Sequence, residues 1–243
     1  MDPGHIFQIW VYLSATPLLG LTITLAAYVL AYRIYERAGG NPLLNPVALA
    51  VGMLIALLAL TRTPYETYFA GAQFVHFLLG PATVALAVPL YRQLGKLRAL
   101  LLPICIALPV GLVVASLSAV GIAGALGASR ETLLSLAPKS VTAPVAMGIA
   151  EKVGGLPSLT AVLVVSTGIL GAVLGTWLFG LLRVGDESVR GIAMGVNAHG
   201  IGTARAFQVS PEMGAFSGLA MALSAFATAL LLPPLLRLVG LAA

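Results

Sequence analysis

Residues 136–144 read Leu136–Ala137–Pro138–Lys139–Ser140–Val141–Thr142–Ala143–Pro144, and their reading decides the fold. Apolar segments flank the stretch on both sides, so two prolines and a lysine stand where a membrane helix would otherwise run on. Proline removes a backbone donor and breaks the helix, and the freed groups then need protein or water partners. The pattern occurs earlier as Leu79–Gly80–Pro81–Ala82–Thr83–Val84, giving Leu-x-Pro-x-[Thr/Ser]-Val at an offset of 57 residues. Each copy leads through a short apolar run to a glycine-bearing turn, Leu94–Gly95 or Val153–Gly154. Each then enters a long apolar span, at Ala99 or at Ser158. Helix breaks in corresponding positions of two repeats point to a transporter-type binding site between them.

The surrounding chain is that of a membrane protein. Of 243 residues 59% are apolar and 9% are charged, with mean hydropathy +1.02. A soluble domain of this length would carry roughly 60 charged residues, whereas this one has 13 basic and 8 acidic. So few charges cannot cover a water-facing surface. This excludes an ordinary soluble enzyme, a disordered chain and a secreted disulfide scaffold. At about 20 residues per span the apolar stretches allow roughly six to eight membrane segments. Spans are expected at Ile6–Tyr32, where Thr16–Pro17 either kinks the stretch or divides a short interfacial piece from the true span, and at Leu43–Leu60, Ala99–Ala123, Ser158–Leu182 and Gly214–Leu232. Val189–Val209 is helix-length but unusual, carrying Arg190, Asn197, His199, Thr203 and Arg205 among four glycines. Met1–His5 has no Lys or Arg, so the first apolar stretch is expected to be retained rather than cleaved.

The expected fold is all-α, a polytopic integral membrane protein forming one domain over 1–243. It contains an internal repeat with two broken or re-entrant helices, in units at about 65–123 and 129–182. A C-terminal motif segment and last span follow at 187–240. If each motif tips a re-entrant hairpin, the hairpins enter from opposite faces and the repeat is inverted. If each motif segment crosses, the copies are parallel. Counting basic residues does not separate the two, and the inverted arrangement is the one favoured here.

The net charge is +5, but the basic residues lie mostly at span ends, where they meet lipid head groups. No nucleic-acid partner is expected. Cys105 is the single cysteine, which precludes an internal disulfide or a thiolate metal cluster, and no cofactor is expected. All eight acids lie in termini, loops or segment edges. The ionisable groups at membrane depth are Lys139, His199 and Arg205, while His76 reads as an interfacial or helix-contact residue. Positive charge at depth favours an anionic ligand, and it leaves any sodium site to backbone carbonyls.

Lys139, the hydroxyls of Ser140 and Thr142, and a helix expected to begin at Ser140–Val141 together make a small-anion cradle. In the first copy, Pro81 and Thr83 supply the break and a hydroxyl without charge. His199 can titrate near neutrality and so exchange protons. Asn197, Thr203 and Arg205 share its segment, and Arg205 can fork onto a carboxylate. No hydrolase, metalloprotease or phosphate-loop template fits, so an enzyme is not expected. Ser166 and Ser224 lie in apolar spans and call for no catalytic role.

Three stretches, Leu78–Tyr91, Ala137–Met147 and Arg190–Ala206, together resemble the LrgB/CidB family over essentially the whole chain. A departure falls at Asn197–Ala198, where the family pattern has small or hydroxyl residues. The resemblance implies one of two functions. Bacterial members are described as antiholin-like modulators of murein hydrolase activity and autolysis, acting beside a small LrgA/CidA-type membrane protein. The plastid relative is a glycolate/glycerate translocator, and some bacterial members are linked to pyruvate uptake. The charge inventory favours the second: a carrier of small monocarboxylates, coupled to protons, in the inner cell membrane. A homodimer is expected because so small a carrier needs a fixed scaffold.

Overall fold

The computed structural model describes residues 17–78, 81, 84–85 and 87–241, and every regular element among them is helical. The chain divides into two compact units, Met1–Ala85 and Leu86–Ala243. The first copy of the repeat, 79–84, falls largely outside the described residues: Thr83 is not described, and Pro81 is exposed.

The first unit holds α1 (Pro17–Arg37), a 3-10 turn (Pro42–Leu44), α2 (Pro46–Thr61) and α3 (Tyr65–Phe77). The described helix starts at Pro17, and residues 6–16 of the expected Ile6–Tyr32 span lie outside the described residues. Asn45 caps α2, its Oδ1 accepting from the Val47 and Ala48 N–H groups, with Pro46 in the first turn. α1 packs on both neighbours, and the Thr24 hydroxyl meets the Tyr68 phenol at 2.8 Å.

The second unit runs α4 (Ala87–Tyr91), α5 (Leu94–Ala125), α6 (Arg130–Leu136), α7 (Ala143–Val153), α8 (Pro157–Leu181), α9 (Glu187–Val209) and α10 (Pro211–Leu238). Four described helices are long and apolar enough to cross a membrane: Leu18–Arg37, Leu94–Ala125, Pro157–Leu181 and Pro211–Leu238. Their apolar residues point outward as well as inward. On α5, Leu102, Ile106, Val110 and Val114 are exposed, whereas Leu108, Leu112 and Ser116 are buried. That pattern suits lipid outside and hydroxyls inside, and the chain is a membrane protein.

Four such helices are fewer than the six to eight segments expected, and two stretches of the second unit explain part of the difference. Each reverses direction within the described residues. α6 returns along the end of α5, with Leu133 against Gly124 and the Ser116 hydroxyl donating to the Ala137 carbonyl at 2.9 Å. Residues 137–142 leave the helix, and α7 turns back toward the side on which α6 began. There Ile149 packs with Val120 and Leu134. After Gly154 (φ +90°) the Leu156 N–H donates to Ser135 Oγ at 2.8 Å, and the Thr160 hydroxyl donates to the Ser135 carbonyl at 3.0 Å. The tip at residues 137–142 begins beside Ser116, through Ala137. From there α5 advances about 14 Å to its end, about half the ~30 Å hydrocarbon thickness.

The second fold-back is α9. A straight helix of its 23 residues would separate its ends by about 33 Å. Yet the Ser210 hydroxyl, just past its end, donates to the carboxylate of Glu187, its first residue, at 2.5 Å. The reversal is at His199, whose backbone is non-helical (φ 40°, ψ −132°). The leg before it runs alongside the start of α10 in the same direction, with Gly191 against Met213 and Gly195 against Ser217. The leg after it runs the opposite way, with Thr203 on Ser217 and Phe207 on Gly214. A Cβ on Gly195 would collide with the Ser217 carbonyl oxygen, so only glycine permits this approach.

α8 orders the two fold-backs. Its first turns touch Ser135, and its later ones meet the first leg of α9, with Gly171 at Ala198 and Gly175 at Met194. The fold-backs therefore enter from opposite ends of α8, and both tips reach Val164. Val141 packs on the Val164 side chain, and the His199 ring meets its carbonyl.

Candidate anion site between two helix breaks

The helix after Pro138 begins at Ala143, not at Ser140–Val141 as expected from the sequence. Pro144 fits the first helical turn, and Thr142 takes the extended N-cap conformation (φ −60°, ψ 145°) without a side-chain cap bond. Lys139 and Ser140 thus lie within the irregular segment, a few residues before the free N–H groups of α7. Lys139 is half-buried, and its ammonium donates to Ser140 Oγ at 3.3 Å.

Lys139 opens onto a cavity of about 500 Å³ walled by α8 and the first leg of α9. Its polar lining is Lys139, Thr167 and Asn197, and the rest is apolar, including Leu170, Leu174 and Phe179. Among the described residues, Lys139 is the only charged one in that lining. Asn197 Nδ2 donates to the Ala193 carbonyl at 3.0 Å, leaving its Oδ1 as an acceptor. The Thr167 hydroxyl donates to the Leu163 carbonyl at 2.7 Å and presents lone pairs. The structure therefore unites Lys139 with Asn197, residues 58 apart in sequence.

His199 and Thr203 lie behind this wall. His199 is 5% exposed, and its Nε2 lies 3.0 Å from the Val164 carbonyl oxygen. A carbonyl only accepts, so Nε2 carries the hydrogen. Gly168 makes room for the ring, since a Cβ there would stand 2.7 Å from His199 Cε1. The buried Thr203 hydroxyl donates to the His199 carbonyl at 2.8 Å and meets Ser217 Oγ at 2.9 Å. Arg205 is farther down the second leg, where it donates to Gln208 at 3.1 Å, and it does not line the cavity. Thr142 does not line it either.

Sequence reading passed over Thr167, which the cavity exposes, and a buried hydroxyl face on α10. Ser217, Ser224 and Thr228 share that face at helical spacing, and all three are buried. Their spacing of seven and four residues is the signal that could have found them.

At the open end of the α9 fold-back an ion cluster ties three helix starts together. Lys96 near the start of α5 donates to Asp186 at 3.0 Å and to Glu212 at 2.7 Å. Asp186 also caps α9, accepting from the Ser188 and Val189 N–H groups and from the Ser188 hydroxyl. The Ser188 hydroxyl, the Lys96 ammonium and the Val189 N–H hold its carboxyl well below the usual carboxylate range.

Residues 24–238 match the LrgB-like family. An uncharacterized protein of Bacillus subtilis, YwbG, is 36% identical over 219 residues, which are 90% of this chain and 97% of that protein. Holin-like protein CidB of Staphylococcus epidermidis is 31% identical over 227 residues, 93% of this chain and 98% of its own length. Holin-like protein CidB of Staphylococcus aureus is 29% identical over 221 residues, 91% and 96% respectively. No solved structure matches the chain.

Proposed function

Given that the chain belongs to the LrgB-like family, we propose that it is a secondary transporter of small monocarboxylates of the glycolate, glycerate, pyruvate or lactate class. The observation that carries this reading is the placement of Lys139, a lone cation lining a cavity between two opposed helix breaks. A carboxylate entering there meets the ammonium. The two span-plus-fold-back units, α5 to α7 and α8 to α9, are read as an inverted repeat, in place of the units at about 65–123 and 129–182 expected from the sequence, whose first motif lies largely outside the described residues. Alternating access follows from rocking the tips against α10. His199, at the second tip, is the group proposed to exchange the coupling proton.

In this reading the protein is a carrier and not an enzyme, it needs no cofactor, and it works as a homodimer in the inner cell membrane. Uptake of labelled glycolate or pyruvate into proteoliposomes tests it. Uptake that is saturable and lost in Lys139→Ala supports it, and vesicles no leakier to these acids than empty ones refute it.

A second reading has a specific observation in its favour. The staphylococcal relatives are named holin-like, which speaks more directly for a modulator of murein hydrolase activity and autolysis than for a carrier. Such a protein would act with a small LrgA/CidA-type partner. It would need no buried cation between broken helices, and expression that alters autolysis without substrate-dependent uptake would favour it.

A further inference from the structure

Beside Ser140, the residue to which Lys139 donates, lies a second, much smaller void of about 10 Å³, the space of one small occupant. Its polar wall comes from three places in the fold: Ser116 on α5, Ser140 in the Pro138 break, and Ser224 with Thr228 on α10. Ser224 is 3% exposed, and its Oγ has no hydrogen-bond partner among the described residues. Ser116 has directed its own proton to the Ala137 carbonyl, so it offers only lone pairs to the void. Ser140 Oγ already accepts from Lys139. The side chains thus bring oxygen atoms to a pocket at an unwound backbone, where irregular segments expose carbonyl groups as well.

We propose that this void binds one monovalent cation of sodium's size. Hydroxyl oxygens beside an unwound helix are a ligand set for such an ion, and no carboxylate is required. The adjacent Lys139 ammonium sets when the ion can bind. Alone, its charge opposes a second cation at Ser140. With a carboxylate on Lys139 that charge is cancelled, and the cation and the anion stabilise one another by equal factors. This coupling rests on the reading that Lys139 takes a carboxylate, and it adds a cation site separate from His199.

The test is pyruvate binding to the purified full-length protein by calorimetry, in sodium, potassium or choline chloride at equal ionic strength. Thermal unfolding is followed in the same salts. Pyruvate is expected to bind about tenfold more tightly in sodium than in choline, within the usual range of coupling between sites. Ser224→Ala and Ser224→Cys should bind pyruvate equally in all three salts, at the parent's choline value. The alanine variant deletes the oxygen, and the cysteine variant fills the position with a somewhat larger, soft sulfur that is a poor ligand for sodium. Equal parental affinity in the three salts overturns the proposal and leaves the void to a water molecule. If pyruvate binds in no salt, the carboxylate reading fails. The cation site then stands only if sodium, and neither potassium nor choline, raises the parent's unfolding temperature and does so in neither Ser224 variant.

Discussion

His199 and Val164 join the two fold-backs: the imidazole Nε2–H donates to the Val164 carbonyl at 3.0 Å, while the Val164 side chain packs against Val141 of the other tip. The bond fixes the ring on α8, and the ring's own residue carries the reversal of α9. Displacing either tip therefore disturbs the other through a single residue of α8.

The backbone at His199 (φ 40°) lies where L side chains are rarely found, and such a conformation costs on the order of 1–3 kcal/mol. Ordinarily glycine is about 1 kcal/mol worse than alanine within a helix. Here the order should invert. His199→Gly and His199→Ala both lose the ring, but only alanine keeps the strain, so the glycine variant should be the more stable by about 1 kcal/mol or more. Unfolding midpoints of the two variants in one detergent check this, and the ordinary helical order would show that α9 does not reverse at this residue.

If His199 exchanges the coupling proton, His199→Gln should flatten the pH dependence of uptake around neutrality, because glutamine retains a donor but does not titrate. An unchanged profile in a folded variant would confine His199 to holding the two tips together.

Much of this was legible in the sequence, and the reasons differ by element. Composition alone identified the membrane protein, and Pro138 announced its break only together with Lys139 and Pro144, since Pro103 and Pro109 lie inside α5 and Pro233 and Pro234 inside α10 without ending them. Lys139 was conspicuous as a charge at membrane depth. The α9 reversal was not legible, because Ala198–His199–Gly200 contains no proline and a histidine backbone at positive φ leaves no mark in the sequence. Gly191 and Gly195, four residues apart, have the spacing of a close helix contact, but that spacing does not say that the partner is the following helix. Ser224 read as an unremarkable hydroxyl, since burial against a break 86 residues away is a tertiary fact.

Lys139 should be the main electrostatic contact for the substrate carboxylate. A hydrogen bond to a charged group is worth about 1.5–3 kcal/mol, so Lys139→Ala should weaken binding about 10- to 150-fold. Lys139→Arg should recover only part of it, because a planar guanidinium does not replace a compact ammonium. Ser140→Ala should cost less. Competition of uptake by unlabelled carboxylate measures all three, and parental affinity in Lys139→Ala would remove the lysine from the site.

Gly195→Ala should destabilise the α9–α10 contact by roughly 1–3 kcal/mol, the usual cost of overpacking, since its Cβ meets the Ser217 carbonyl. Gly185→Ala, with nothing within 4 Å of the added carbon, is the matched control. Equal unfolding midpoints for the two would contradict the close approach.

The Lys96–Asp186–Glu212 cluster should hold the open end of the α9 fold-back over a wide acid range. Asp186 titrates well below the ordinary carboxylate range, with the Ser188 hydroxyl as the largest cause and Lys96 next. A group whose folded pKa is depressed adds stability above its unfolded value, about 3.9 for Asp, and loses it as pH falls through the folded value. Asp186→Asn isolates the charge, because asparagine caps a helix about as well as aspartate. The variant should be less stable than the parent at pH 7, by an unchanged margin at pH 5, and the margin should shrink only below about pH 4. Added salt should also shrink it, because the ion pairs are largely exposed. Unfolding midpoints of parent and variant between pH 7 and pH 3 read this directly, and a margin that closes between pH 7 and pH 5 would assign the effect to a different group.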